Sequence, residues 1–117
     1  MKTLFGQPYD QSDRLWVLKA YFDIMYSDGN FIEAVKNISR RWGYCTDGAY
    51  CGFPDLNSFF QENHFEGVEF AYGIPPDEIT IYVDESTCLG SVEEACEIYI
   101  SKHPESRLEI AKYLKKR

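Results

Sequence analysis

Two short runs of alternating side chains, separated by a pair of prolines, restrict the folding of this chain more than any other feature. Val68, Phe70, Tyr72 and Ile74 alternate with Glu69, Ala71 and Gly73, and Ile79, Ile81 and Val83 alternate with Glu78, Thr80 and Tyr82. A period of two places one set of side chains on each face of a strand. Pro75-Pro76-Asp77 lies between the runs, and proline favours a turn because it fixes φ and has no N–H to give to a ladder. The spacing predicts an antiparallel hairpin near 67–83, with Glu69, Thr80 and Tyr82 pointing away from the core.

Helical patterns flank this hairpin on both sides. After Ser12, Leu15, Leu18, Phe22 and Met25 recur at helical spacing, with Asp13, Arg14, Lys19 and Asp23 largely elsewhere, although the density of apolar residues also permits a strand. Ser27-Asp28-Gly29 reads as a turn. Asn30 with Glu33 resembles a capping box that opens a second helix, whose stripe is Phe31, Ile32, Val35, Ile38 and Trp42 and whose stop is Gly43. Beyond the hairpin, Ser91-Val92-Glu93-Glu94 is a full capping box for a third helix carrying Val92, Ala95, Cys96 and Tyr99. Pro104 starts a fourth, with Leu108, Ala111 and Leu114 inward and Lys112, Lys115, Lys116 and Arg117 at its negative end. Between the second helix and the hairpin, 44–66 is irregular, and a stretch that long often carries function or a short helix. One or two turns over 55–61 would place Phe59 and Phe60 against the core. The expected fold is α/β of the α+β kind: a single domain, 1–117, with a small antiparallel sheet packed against about four helices.

Charge is unevenly spread. The formal net charge is -7, but residues 43–105 hold thirteen Asp or Glu and one basic side chain, Lys102, while both ends are slightly basic. An acidic surface repels phosphate backbones and anionic lipid, so neither nucleic acid nor membrane is an expected direct ligand. No apolar run approaches the ~20 residues that span a bilayer, and the N-terminal residues lack a continuous apolar signal core. A cytoplasmic location is expected, with Cys45, Cys51, Cys88 and Cys96 reduced and mostly in core packing.

Motifs that carry chemistry are weak. The cysteine spacing and the two histidines suit no zinc site, and neither phosphate-binding glycine pattern occurs. Asp84, Ser86 and Cys88 alternate like calcium ligands, but the glycine falls at Gly90, one position late. A small hydrolase built on Cys45, Cys51 or His64 would need a depressed thiol pKa, and nothing in the spacing orients a base. No catalytic residue, metal or cofactor is therefore expected. What stands out is a coincidence of acids and aromatics in the middle of the chain. Aromatics anchor interfaces and carboxylates steer basic partners. On that basis Asp47, Tyr50, Phe53, Asp55, Glu62, Glu66 and Glu69 are the candidate partner-binding residues. A ribonuclease is a natural basic partner, since its cleft must hold RNA phosphates.

The segments YFDIMYSDGNFIEAVKNISR, YCGFPD, FEGVEFAYG and EEACEIYISKHPE, which together reach across most of the chain, resemble immunity proteins of contact-dependent growth inhibition systems. That resemblance implies a non-enzymatic protein that neutralises a cognate ribonuclease toxin, tRNase-like in action, carried at the C-terminal end of an inhibition effector. It implies no particular contact residue. The other reading of the acidic segment is a general interaction or regulatory module that recruits another basic protein.

Overall fold

The computed structural model describes residues 3–55, 57–61 and 64–114. It contains helices α1 (Trp16–Ser27) and α2 (Phe31–Ser39), strands β1 (Tyr44–Thr46), β2 (Ala49–Gly52), β3 (Val68–Tyr72) and β4 (Ile79–Val83), then helices α3 (Glu85–Lys102) and α4 (Arg107–Leu114). The strands form one antiparallel sheet in the order β1-β2-β3-β4. The α+β architecture expected from the sequence is thus observed, with the expected hairpin extended by two further strands, β1 and β2.

Helix α1 is the centre of the core. Asp13 turns the chain into it, its side chain accepting the Leu15 N–H at 2.9 Å and its carbonyl the Trp16 N–H at 3.1 Å. Leu18, Phe22 and Met25 are buried as their spacing predicts, and so are Val17, Ala20 and Tyr21, because α1 lies across β2, β3 and β4 while also touching α2 and α3. The Tyr21 ring meets Phe70 of β3 edge-on at 5.3 Å, and its hydroxyl donates to the Tyr44 carbonyl at 2.7 Å. Helix and sheet are therefore joined by both apolar contact and a satisfied buried hydroxyl.

Asp23 departs from its expected place on the polar side of α1 and is buried. Its Oδ1 accepts the Leu4 and Phe5 N–H groups, both at 2.8 Å, and its Oδ2 accepts Gly6 N–H at 2.9 Å and the Tyr9 hydroxyl at 2.7 Å. A buried carboxylate with four donors is a satisfied one. It fixes the segment before α1 onto the core.

Four local expectations are corrected. Helix α2 forms, but Asn30 makes no side-chain cap; its carbonyl instead accepts the Ala34 N–H. The helix stops before Gly43, at Ser39 with Arg40 as its C-cap; Arg41 just beyond takes φ 61°, and Trp42 is turned outward, 59% exposed beneath the Arg40 guanidinium. Helix α3 starts six residues earlier than Ser91: Asp84 caps it by accepting the Thr87 N–H at 2.7 Å, so the residue that resembled a calcium ligand is a helix cap and Ser91 lies mid-helix. At the fourth helix, Pro104–Ser106 forms a 3₁₀ turn before α4. A 3₁₀ turn advances by ~120° per residue against ~100° in an α-helix, so the phase slips. Ile110 becomes the buried side chain and Leu108 is left 81% exposed. Lys115, Lys116 and Arg117 lie outside the described residues.

The unread half of the sheet comes from 44–52. Asp47-Gly48 closes a two-residue hairpin between β1 and β2, with Gly48 at φ 82°. That dipeptide favours the turn whose twist matches paired strands. Gly43 has a steric purpose here, since a Cβ on it would stand 2.7 Å from the Cys51 carbonyl oxygen.

Candidate protein-binding face

Strand alternation separates the two faces of the sheet. Ala49, Cys51, Val68 and Phe70 are buried on the side that α1 covers. Tyr50 of β2, Glu69 and Ala71 of β3, and Thr80 and Tyr82 of β4 must then project from the opposite side. The register sets Tyr50 beside Ala71, and Glu69 beside Tyr82.

On this outer face the tyrosines are the walls of a groove of about 470 Å³. Ala71 forms its floor, 3% exposed, and Glu69, Glu78, His64 and Phe65 complete it. The Tyr50 ring runs forward along its own strand over Gly52, into space that a Cβ at Gly52 would fill. Across the groove the Tyr82 hydroxyl donates to Glu69 at 3.4 Å, and its ring packs against Phe65 at 5.4 Å. Partial burial, followed by the nearby Glu69 charge, raises the pKa of both tyrosines. They remain neutral hydroxyls across the physiological range, able to donate or accept.

The structure brings together only some of the residues expected at a binding site. Tyr50, 38% exposed, and Glu69 share the groove. Asp47 is exposed at the β1–β2 turn, Glu66 is exposed just before β3, and Asp55 is exposed in the connection between β2 and β3, where it organises a turn by accepting the Asn57 N–H at 3.1 Å. Phe53 is turned inward. It packs against the core under the Arg41 guanidinium, 5.8 Å from it, and borders a small cavity of about 80 Å³ with Val68 and Cys88. Glu62 lies outside the described residues. The groove also contains Glu78 and Tyr82, which the charge-and-aromatic reading passed over. The signal for Tyr82 was present in the alternation of β4.

The other expectation for the connection, a short helix burying Phe59 and Phe60, is corrected. Among the described residues it is a series of turns, with Phe59 93% and Phe60 58% exposed. Local hydrogen bonds outcompete the helix: Asp55 and Ser58 side chains each accept an N–H two residues ahead, at Asn57 and Phe60.

Thiol chemistry finds little support in the geometry. Cys51 and Cys88 are free and buried, and desolvation raises both pKa values, that of Cys88 to about 12. A nucleophilic cysteine needs the opposite shift. Cys45 is exposed and Cys96 is buried in the core. The His64 Nε2–H donates to the Ser58 carbonyl at 2.8 Å, a bond that fixes the loop. Among the described residues no group of three or more His, Cys, Asp or Glu is arranged to hold a metal ion, and no helix is long and apolar enough to cross a membrane.

Comparison with known proteins extends the assignment. The CDI immunity protein family matches residues 14–114, which include every helix and strand among the described residues. The chain belongs to this family. Among solved structures, this immunity protein is similar to "an immunity protein NMB0503 from Neisseria meningitidis MC58", with a TM-score of 0.76 and 15% identity over 92% of this chain and 90% of that one. At that identity the likeness concerns the fold: the same arrangement of helices and sheet persists under a largely different sequence. None of the curated proteins matches this immunity protein.

Proposed function

We propose that this member of the CDI immunity family binds and neutralises a cognate ribonuclease toxin domain, tRNase-like in action, without catalysing a reaction itself, and that it does so with the outer face of its sheet. The observation that carries this reading is the groove between Tyr50 and Tyr82, which combines aromatic walls with the carboxylates of Glu69 and Glu78. It lies within the stretch 43–105, where thirteen acids stand against one base. A ribonuclease must present a basic cleft to its substrate, and carboxylates on a sheet face can occupy the places of RNA phosphates. Tyrosines supply contact area at a small entropic cost, because their rings have few rotatable bonds. Asp47, Asp55, Glu66 and the described part of the connection extend the same sign of charge around the groove and serve to steer the toxin. Phe53 supports the face from within. The neutralising complex forms in the cytoplasm, where RNA is the toxin's target.

The test is inhibition of RNA cleavage by the toxin domain encoded beside this protein. Titration should abolish cleavage at a stoichiometry of about one to one, with an affinity that weakens by roughly an order of magnitude or more when salt is raised from about 50 mM to about 300 mM. Undiminished cleavage in excess immunity protein at low salt would refute the proposal.

A further inference from the structure

Phe59 and Phe60 are adjacent, and both stand in solvent in a protein whose other large apolar side chains mostly find cover. Their rings meet edge to face at 5.7 Å, so they present one continuous apolar knob. The knob is held in place. The Asp55 carbonyl accepts the Ser58 N–H at 3.1 Å, the Ser58 hydroxyl accepts the Phe60 N–H at 3.1 Å, and the Ser58 carbonyl accepts the His64 ring N–H at 2.8 Å. The last bond matters most, because His64 also lines the groove that Tyr50 and Glu69 line. The two phenylalanines directly follow Ser58, the residue whose carbonyl is bonded to the groove-lining His64.

Exposed aromatic pairs of this kind gain from being covered, and the surrounding charge says by what. Asp55 and Glu66, both exposed, flank the loop, and no Lys or Arg occurs anywhere from residue 43 to residue 101. A nucleic acid or an acidic protein would be repelled here, whereas a protein with an apolar socket rimmed by Lys and Arg would satisfy both features. We infer that the Phe59–Phe60 knob inserts into an apolar socket of the toxin domain next to its basic cleft, and that it acts as the lock of the complex while the carboxylates of the groove act as the steering charge. This inference rests on the proposed toxin-binding function and adds to it a second, apolar contact on a different element.

The two contacts differ in kinetics. Charges at an interface act mainly on association, and buried aromatic anchors act mainly on dissociation. Binding of the adjacent toxin domain should be followed by surface-immobilised kinetics for the intact protein and for the double variant Phe59→Ser, Phe60→Ser. The variant is expected to dissociate about thirtyfold faster or more, with its association rate and salt dependence within about twofold of the original. Phe59→Leu with Phe60→Leu, which keeps apolar surface, should recover most of the loss, and this recovery separates lost contact from altered folding. Dissociation of the serine variant within about threefold of the intact protein would overturn the inference and leave the toxin-binding function standing. Failure of the intact protein itself to bind would overturn both.

Discussion

Replacing Asp23 with alanine is expected to lower the unfolding free energy by about 3 kcal/mol, the largest stability loss anticipated for a single charged side chain in this fold. Asp23 is 1% exposed and accepts four hydrogen bonds, three from consecutive backbone N–H groups at Leu4, Phe5 and Gly6 and one from the Tyr9 hydroxyl. Removal leaves these donors without their acceptor, and they can regain partners fully only if the 4–9 segment lifts from the core into water. That escape caps the loss, which is why the figure stays below the sum of four charge-assisted bonds. Asp23→Asn should recover less than half of it. An amide offers one acceptor oxygen where the carboxylate offers two, and its NH₂ would point at groups that are themselves donors. Tyr9 reports on the same site, since burial and then its bond to Asp23 raise its pKa. Urea denaturation of the two variants measures the effect. Losses under about 1 kcal/mol for both would show that the segment contributes little to folding.

The second large effect concerns binding. Glu69→Lys combined with Glu78→Lys is expected to weaken toxin binding by about a hundredfold, chiefly through slower association, and to remove or invert its salt dependence. Both carboxylates face the outer groove, and Glu69 also receives the Tyr82 hydroxyl. Reversing their sign places like charges opposite a basic cleft. Because Glu78 is exposed and Glu69 only half-buried, the melting temperature should barely move. Asp47→Lys, at the far end of the β1–β2 hairpin, is expected to change affinity by about threefold or less, as a steering charge outside the contact. Equal effects from Asp47 and from the groove pair would mean that net charge, and not the placed face, governs recognition.

The elements legible in the sequence are those with regular periods. The β3–β4 hairpin, α1 and α2 all declare themselves through alternation or a helical stripe, because burial on one face demands such a pattern. The β1–β2 hairpin escaped notice because β1 is three residues long and β2 four, too short to show a period, although Asp47-Gly48 carried the turn signal. Capping signals misled where a competitor stood nearby: Ser91-Val92-Glu93-Glu94 has the composition of a cap, but Asp84 captures the chain first and the helix runs through. Composition could place Asp23 in α1 but could not bury it, since its partners come from residues 4 to 9 and the contact exists only after folding.

The candidate site was legible to a similar degree. Tyr50 and Glu69 were found because acids and aromatics cluster in the sequence, and they do share the groove. Phe53 was not distinguishable from Tyr50 without knowing the β2 register, which sends alternate side chains to opposite faces and ends with Phe53 under Arg41. Tyr82 and Glu78 come from the other strand of the hairpin and join the site only through pairing with β3. Phe59 and Phe60 carry the opposite lesson: hydrophobicity predicts burial, and an apolar pair that the fold leaves in solvent points to a surface to be covered by something else.

The central claim is that the outer sheet face is the toxin-binding surface, and side-chain footprinting of the complex tests it directly. Tyr50 and Tyr82 are 38% and 56% exposed in the unbound protein, so hydroxyl radicals should modify both. In complex with the adjacent toxin domain, modification of both is expected to fall by about fivefold or more, while Trp42, 59% exposed outside the groove, keeps its free rate. Unchanged modification of Tyr50 and Tyr82 in a complex that protects other side chains would contradict the claim.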